Sequence, residues 1–193
     1  MVLLLDVMST LVRDPVFDTV PAWFGLPAME LLGALDREVF FAFERGEIDE
    51  ETYYATCFRD RRPVDGQGFR DALRAGYEWL PGVESLLEEL RASGIEMHAL
   101  SNYPTWYRLI EEKLGLGRYL RWSFVSCHHG VRKPDAEAYL GAARTLERAP
   151  GECLFVDDRR TNVDAARAVG MAGVQFVDAE ALRAALAERG LLQ

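Results

Sequence analysis

The sequence predicts an α/β protein, a doubly wound parallel sheet wrapped by helices, with a helical segment inserted after the first strand. From residue 81 onward, short apolar runs alternate with amphipathic stretches. Strand and helix patterns repeated at such close spacing are typical of a parallel sheet covered on both faces. One more apolar run, residues 1–5, precedes a stretch that shows helical patterns only. At 193 residues, one α/β core over 1–14 and 81–193, with an insertion over 15–80, is the economical division.

The insertion is predicted to be helical because its apolar residues recur at helical spacing. One helix is expected over Glu30 to Arg45, where a single apolar stripe contains Leu32, Leu35, Val39 and Phe43. The acids at 49–51 favour the start of a second helix, since negative charge is stabilised at a helix N-terminus. A third is expected over 69–79, and Pro81-Gly82 marks the return to the core.

The remaining elements follow from apolar runs and turn residues. Strands are predicted at 95–100, 122–127, 153–156 and 174–177. Helices are predicted at 83–92, 104–114, 134–148, 161–169 and 179–189.

Composition excludes several classes of protein. Hydrophobic residues make up 49% and charged residues 27%, as in a globular protein with a large core. A net charge of −9 disfavours nucleic acid or an anionic membrane as a partner. No run approaches a membrane span, residues 1–5 lack the features of a signal peptide, and the three cysteines form no Cys-x-x-Cys pair. We therefore expect a cytoplasmic protein with reduced cysteines and no nucleic-acid or membrane partner; its oligomeric state is left open.

Polar residues that suit phosphoryl chemistry follow three of the predicted strands. Asp6 follows the first strand, Ser101-Asn102 the second and Asp157-Asp158 the fourth, while Lys133 precedes a helix that Pro134 begins. In doubly wound sheets, ligands bind beyond the carboxyl ends of the strands. Adjacent carboxylates repel each other unless a cation lies between them, and Mg²⁺ fits that role. The pattern predicts a metal-assisted site with Asp6 as the nucleophile.

Taken together, the order of these residues resembles the haloacid dehalogenase (HAD) superfamily. The nucleophilic aspartate, the hydroxyl, the lysine and the acid pair occur in that order, and the insertion corresponds to the superfamily's helical cap in its first position, on a Rossmann-like core. The segments at 6–15, 43–51, 101–107 and 157–163 also resemble the plant chloroplast flavin mononucleotide (FMN) hydrolase group and its bacterial relatives. This likeness implies FMN or another small phosphate ester as the substrate.

The resemblance implies a role for each residue of the site. Asp6 would attack phosphorus and form an aspartyl-phosphate, and Thr10 would steady its loop. Ser101, Asn102 and Lys133 would bind the phosphoryl oxygens. Mg²⁺ would be held by Asp6, the backbone oxygen of Met8, Asp157 and, through water, Asp158.

Met8 departs from the superfamily pattern. Phosphatases of this kind usually have an acid two residues after the nucleophile, and methionine can neither protonate a leaving group nor activate water. Such acid–base help is commonly worth about 10²- to 10⁴-fold in rate. The plant group has Asp at the next position, where this chain has Ser9. His128 or His129 is a candidate replacement base.

Three interpretations remain open from the sequence. The first is an Mg²⁺-dependent phosphomonoesterase with reduced activity. The second is a 2-haloacid dehalogenase, whose relatives also lack the second acid; it ranks lower because those enzymes work without metal, whereas Asp157-Asp158 favours one. The third is a catalytically weakened protein that binds a ligand through an inherited fold. Substrate choice is expected to lie in the insertion, which has 12 of the 21 aromatic residues, although most of these are expected to form its own core.

Overall fold

A computed structural model, which describes residues 1–192, shows one five-stranded parallel sheet flanked by helices, confirming the predicted fold class. The strands are β1 (Val2–Leu5), β2 (Met97–Ser101), β3 (Arg121–Val125), β4 (Cys153–Asp157) and β5 (Ala172–Gln175). The sheet order is β3-β2-β1-β4-β5. The first strand of the chain therefore lies in the centre, and its carboxyl end is flanked by those of β2 and β4.

The remainder of the predicted core consists mainly of the helices that connect and follow the strands. Those after the insertion are α6 (Val83–Ala92), α7 (Tyr107–Leu114), α8 (Ser126–His129), α9 (Ala136–Thr145), α10 (Arg160–Ala168) and α11 (Ala179–Ala187). The helix predicted from Pro134 begins two residues later, because the Asp135 carboxylate accepts the Glu137 N–H at 3.0 Å and acts as the N-cap. Among residues 1–192, no helix has both the length and the apolar character that crossing a bilayer requires.

The segment between β1 and α6 is helical, with α1 (Thr19–Phe24), α2 (Ala28–Ala34), α3 (Arg37–Glu44), α4 (Glu50–Thr56) and α5 (Gly66–Gly76). The prediction of one continuous helix from Glu30 to Arg45 was wrong. The chain leaves the helix at Leu35, which bridges to Phe58, and the Asp36 N–H bonds to the Cys57 carbonyl at 2.7 Å. The Asp36 side chain then caps α3, so a contact from residues 57–58 overrides the helical stripe.

The helical insertion shares its hydrophobic core with one face of the sheet. Leu3 and Leu5 of β1 belong to the same cluster of buried residues as Phe43, Tyr53 and Phe69 of the insertion. Trp106, which precedes α7, is only 3% exposed, and its ring lies 5.0 Å from that of Phe43. The insertion thus packs against the segment that follows β2.

Candidate active site

Asp6 lies directly after the central strand. Its N–H donates to the carbonyl of Val156 on β4 at 2.9 Å, which extends the β1–β4 pairing to the end of the strand. The residue is 8% exposed. A buried carboxylate is costly unless donors or a cation surround it, so its partners determine whether the placement is tolerable.

Lys133 supplies the positive charge at this position. Its Nζ lies 2.6 Å from Asp6 Oδ1 and 2.8 Å from Asp157 Oδ2. Lys133 is 3% exposed and Asp157 is fully buried. The structure thus brings residues 6, 133 and 157 together, as the sequence pattern predicted. The first and last of them are 151 positions apart in the sequence.

Negative charge still exceeds positive charge at the site. Carboxylate oxygens of Asp6, Asp157 and Asp158 all lie within 4.8 Å of one another, with one lysine between the first two. Burial raises the pKa of Asp6 to about 6; the charge of Asp157 adds to this effect, and that of Lys133 opposes it. Burial and Asp157 also raise the pKa of Asp158. Three hard oxygen ligands with excess negative charge suit a divalent cation such as Mg²⁺.

Thr10 connects the nucleophile's loop with that of the acid pair. Its hydroxyl donates to Asp6 Oδ2 at 3.2 Å and accepts the backbone N–H of Asp158 at 3.1 Å. The threonine is fully buried, so both bonds are shielded from water. This geometry agrees with the steadying role expected for Thr10.

Ser101 and Asn102 lie beyond β2 and use their side chains differently. Ser101 Oγ is the one buried side-chain polar atom of residues 1–192 that has no hydrogen-bond partner. The Asn102 amide accepts the Lys133 N–H and donates to the Lys133 carbonyl, both at 2.8 Å. Asn102, predicted to bind phosphoryl oxygens, thus uses its side chain to hold the Lys133 loop, while the Ser101 hydroxyl lacks a partner.

Met8 and Ser9 form the turn that follows Asp6. The Met8 side chain is half-buried against the main hydrophobic cluster, and Ser9 has a φ of 61°, in the left-handed region where residues other than glycine are uncommon. The Ser9 N–H donates to the Val12 carbonyl at 2.7 Å. No hydrogen bond to the Met8 carbonyl occurs within residues 1–192, so this oxygen has a free lone pair for the predicted metal contact.

The two histidines proposed as a replacement base make contacts elsewhere. His128 Nε2 lies 3.0 Å from the Tyr107 hydroxyl, and His129 Nε2 lies 2.8 Å from the Ser123 carbonyl. Both residues are exposed on α8. Neither bonds to Asp6 or Lys133 in the described part of the chain.

Asn162 was not predicted from the sequence. It is 6% exposed, and its amide donates to Asp157 Oδ2 at 2.9 Å, while the Arg159 N–H donates to Asp157 Oδ1 at 2.8 Å. Together with Lys133, these two donors fix the orientation of the Asp157 carboxylate. The sequence signal that could have identified Asn162 was its position in the first turn of α10, which faces β4, the strand that the helix follows.

The fold and the acid–lysine cluster define a class of hydrolase, and comparison with known families agrees. The haloacid dehalogenase-like hydrolase family matches residues 2–170. The chain belongs to this family, which confirms the predicted superfamily and the prediction of a hydrolase.

Individual relatives point in the same direction. The chain is 45% identical to chloroplast flavin mononucleotide hydrolase 1 of Arabidopsis thaliana, over 98% of this chain and 78% of that protein. It is 29% identical to a sesquiterpene phosphatase of Aspergillus oryzae, over 86% of this chain and 83% of the other. A HAD family enzyme from Bacteroides thetaiotaomicron, solved with magnesium and inorganic phosphate, shares the fold with a TM-score of 0.72 at 17% identity, over 90% and 92% of the two chains.

Proposed function

We propose that this protein is an Mg²⁺-dependent phosphomonoester hydrolase that acts on a small phosphorylated metabolite, with FMN as the first candidate. The observation that carries the proposal is the placement of Asp6: a carboxylate beyond the central strand, paired with a buried lysine at 2.6 Å and close to two further acids. Nucleophile, charge-neutralising cation and metal ligands are the groups that phosphoryl transfer requires.

Asp6 is the nucleophile in this proposal. One of its oxygens attacks phosphorus, forming a P–O bond as the bond to the ester oxygen breaks, and the leaving group departs as its alkoxide or phenoxide, which takes a proton from water. Water then attacks the phosphorus of the aspartyl-phosphate, which releases phosphate and restores the carboxylate. The Lys133 ammonium lies 2.6 Å from Asp6 Oδ1, where it offsets negative charge as the phosphoryl group approaches.

The residues present fit a magnesium ion. Asp6, Asp157 and Asp158 provide carboxylate oxygens within 4.8 Å of one another, and the Met8 carbonyl is the fourth candidate ligand. When bound, Mg²⁺ supplies positive charge to phosphoryl oxygens. Asn162 and the Arg159 N–H keep Asp157 oriented for that purpose.

Ser101 is proposed to bind the phosphoryl group. A buried hydroxyl without a partner costs about 1–3 kcal/mol in the folded protein, and a phosphoryl oxygen would satisfy it. Lys133 is the second proposed phosphoryl ligand. Asn102 contributes by holding the main chain of Lys133 in place.

Met8 sets the chemical preference of the enzyme. Because position 8 has no acid, the departing alcohol receives no proton from that position, and turnover depends strongly on how readily the leaving group accepts negative charge. Aryl phosphates should therefore react faster than alkyl phosphates such as FMN. The proposal of FMN rests on the 45% identity with the Arabidopsis hydrolase and places substrate choice in the helical insertion.

The test compares purified wild-type protein with Asp6→Asn, which removes the nucleophile but preserves the shape of the side chain. With Mg²⁺, the wild type is expected to release phosphate from p-nitrophenyl phosphate and, more slowly, from FMN, whereas Asp6→Asn should show at least a 10³-fold lower rate, on the order of removing an activated nucleophile. Asp164→Asn, on the exposed face of α10, is the matched control and should behave like the wild type.

Two outcomes would contradict the proposal. Equal Mg²⁺-dependent rates in wild type and Asp6→Asn would assign the signal to a contaminant. Metal-independent release of chloride from 2-chloropropionate, expected to be undetectable, would instead favour the dehalogenase interpretation.

A further inference from the structure

The C-terminus of α3 is joined to the Lys133 loop by a buried ion pair. Glu44, only 5% exposed, accepts from Arg132 Nε at 2.6 Å and lies 2.5 Å from its Nη2. The Arg132 guanidinium also lies 3.8 Å above the ring centre of Phe41 on the same helix. The residue next to Lys133 is thus held by two side chains of the helical insertion.

The main chain of Glu44 makes a second connection to the core. Its carbonyl accepts the Ser126 hydroxyl at 2.5 Å, and the oxygen of that hydroxyl accepts the Tyr103 N–H at 3.0 Å. Tyr103 follows Ser101-Asn102 directly. Two residues after Glu44, Gly46 (φ 70°) approaches α8 so closely that a Cβ would lie 2.2 Å from the Cys127 carbonyl oxygen. Only glycine permits this docking.

Asn102 connects the Tyr103 segment to the Lys133 loop, because its amide makes two 2.8 Å hydrogen bonds to the main chain of Lys133. The resulting closed ring of hydrogen bonds and peptide links, here called the Glu44 ring, contains Glu44, Arg132, Lys133, Asn102, Tyr103 and Ser126. It joins one residue of the insertion to the two loops that present Ser101 and Lys133.

Replacing a buried ion pair with apolar side chains of similar volume is often neutral or stabilising, so the pair itself is weak evidence for a stabilising role. Its position, one residue from Lys133 and 88 residues from its partner along the chain, indicates a role in placing that lysine.

We propose that Glu44 is a positioning residue, which acts through Arg132 and Ser126 to fix the loops of Lys133 and Ser101 in the geometry that the site requires. The kinetic part of this inference rests on the proposed phosphatase function. Misplacing a reacting group by about 1 Å commonly costs about 100-fold in rate. Docking of the insertion and assembly of the site would then be one event.

The first test does not depend on catalysis. Amide hydrogen exchange is measured in wild type, Glu44→Gln, Glu44→Ala and Ser126→Ala. We expect the Lys133 amide, which donates to Asn102 Oδ1, to exchange at least 10-fold faster in all three variants. The amide of Val174 on β5, far from the ring, should accelerate much less than that of Lys133. Glu47→Gln is the control, since Glu47 forms an exposed pair with Arg45 just beyond α3.

The second test separates kcat from KM with p-nitrophenyl phosphate and Mg²⁺. We expect kcat to fall about 10- to 100-fold in Glu44→Gln and further in Glu44→Ala, with KM changing less than threefold, and Glu47→Gln to match the wild type. Glu44→Asp, which keeps the charge, should recover part of kcat.

Three results would decide the matter. Unchanged Lys133 exchange and unchanged kcat in both Glu44 variants would overturn the inference. Equal acceleration at Lys133 and Val174 would also overturn it, because that pattern reports loss of overall stability. Faster exchange confined to Lys133 in the Glu44 variants, together with a wild type that shows no phosphatase activity, would support the positioning role and contradict the proposed function.

Discussion

At the scale of single residues, Asp6 and Lys133 show that a buried charge is tolerated only when several partner groups surround it. Asp6 has a lysine at 2.6 Å, a threonine hydroxyl at 3.2 Å and two acids nearby. Removing one partner of such a buried pair typically costs about 3–5 kcal/mol, because the remaining charge is left uncompensated. The cluster therefore behaves as one unit rather than as separate contacts.

Ser101 allows activity and stability to be changed in opposite directions. Because its buried hydroxyl has no partner, Ser101→Ala should raise the free energy of unfolding by roughly 1 kcal/mol while lowering kcat/KM about 10-fold. Thermal unfolding and phosphate release measure the two effects. Ser126→Ala is the stability control: its hydroxyl bonds to Glu44 and Tyr103, so that variant should unfold more easily. A less stable Ser101→Ala would mean that the hydroxyl is already satisfied in the folded protein.

Met8 allows the missing acid to be restored. Met8→Asp should preserve or raise phosphatase turnover, and the gain should be greater for FMN than for p-nitrophenyl phosphate, because only the poorer leaving group needs the proton. Met8→Asn, of the same shape but without an acid, should show no such difference. A tenfold fall in Met8→Asp would show that this protein uses other acid–base chemistry.

At the scale of elements, the alternation of strand and helix predicted the parallel sheet, and the polar residues after three of its strands predicted which strand ends would meet. Helix α6 was confirmed at both ends, 83 and 92. The break at Leu35-Asp36 was not predictable, since it depends on pairing with residues 57–58. The Glu44–Arg132 pair was missed for the same reason: its members look like ordinary surface charges until tertiary packing buries them.

Burial of Glu44 on α3 gives a testable dependence of stability on pH. Burial raises its pKa from 4.5 to about 7, outweighing the opposite effect of Arg132. The native state then binds a proton that the unfolded state releases between these values, so this contribution to stability is complete below pH 4.5 and is lost as pH rises through about 7.

Glu44→Gln removes that titration. Between pH 5 and 8, the free energy of unfolding of the wild type, relative to Glu44→Gln, should fall by up to about 3 kcal/mol. Denaturant unfolding of both proteins at each pH measures the difference, in which the contribution of Asp6, whose pKa is also raised, cancels. A difference that is flat over this range would show that Arg132 keeps Glu44 ionised throughout.

At the scale of the whole molecule, the central place of β1 brings residues from both halves of the core sequence to one point. Ser101-Asn102 comes from the β2 side and Asp157-Asp158 from the β4 side, with Asp6 between them. Sequence reasoning identified these residues because each follows a buried strand. It did not show that the Asn102 side chain bonds to the main chain of Lys133, because spacing does not show which way an amide points.

Magnesium binding should stabilise the whole fold, because the acid cluster exists only in the native state. At a concentration 100 times its Kd, a ligand adds about 2.7 kcal/mol, which corresponds to a Tm increase of about 5 to 10 °C for a chain of this size. Differential scanning fluorimetry with MgCl₂, against NaCl at matched ionic strength, measures the shift. Asp157→Asn should abolish most of it, and an equal shift in that variant would place the bound ion elsewhere.

Trp106 has a consequence for how this fold can be divided. The indole belongs to the part of the chain that builds the sheet, yet it is enclosed by Phe43, Tyr53 and Phe69 of the insertion, and its N–H donates to Glu50 at 2.7 Å. Excising residues 15–80 would therefore expose the large apolar ring of Trp106 to water and remove the Glu50 acceptor of its N–H. A version of this protein reduced to residues 1–14 and 81–192 would expose an apolar surface where the insertion now packs.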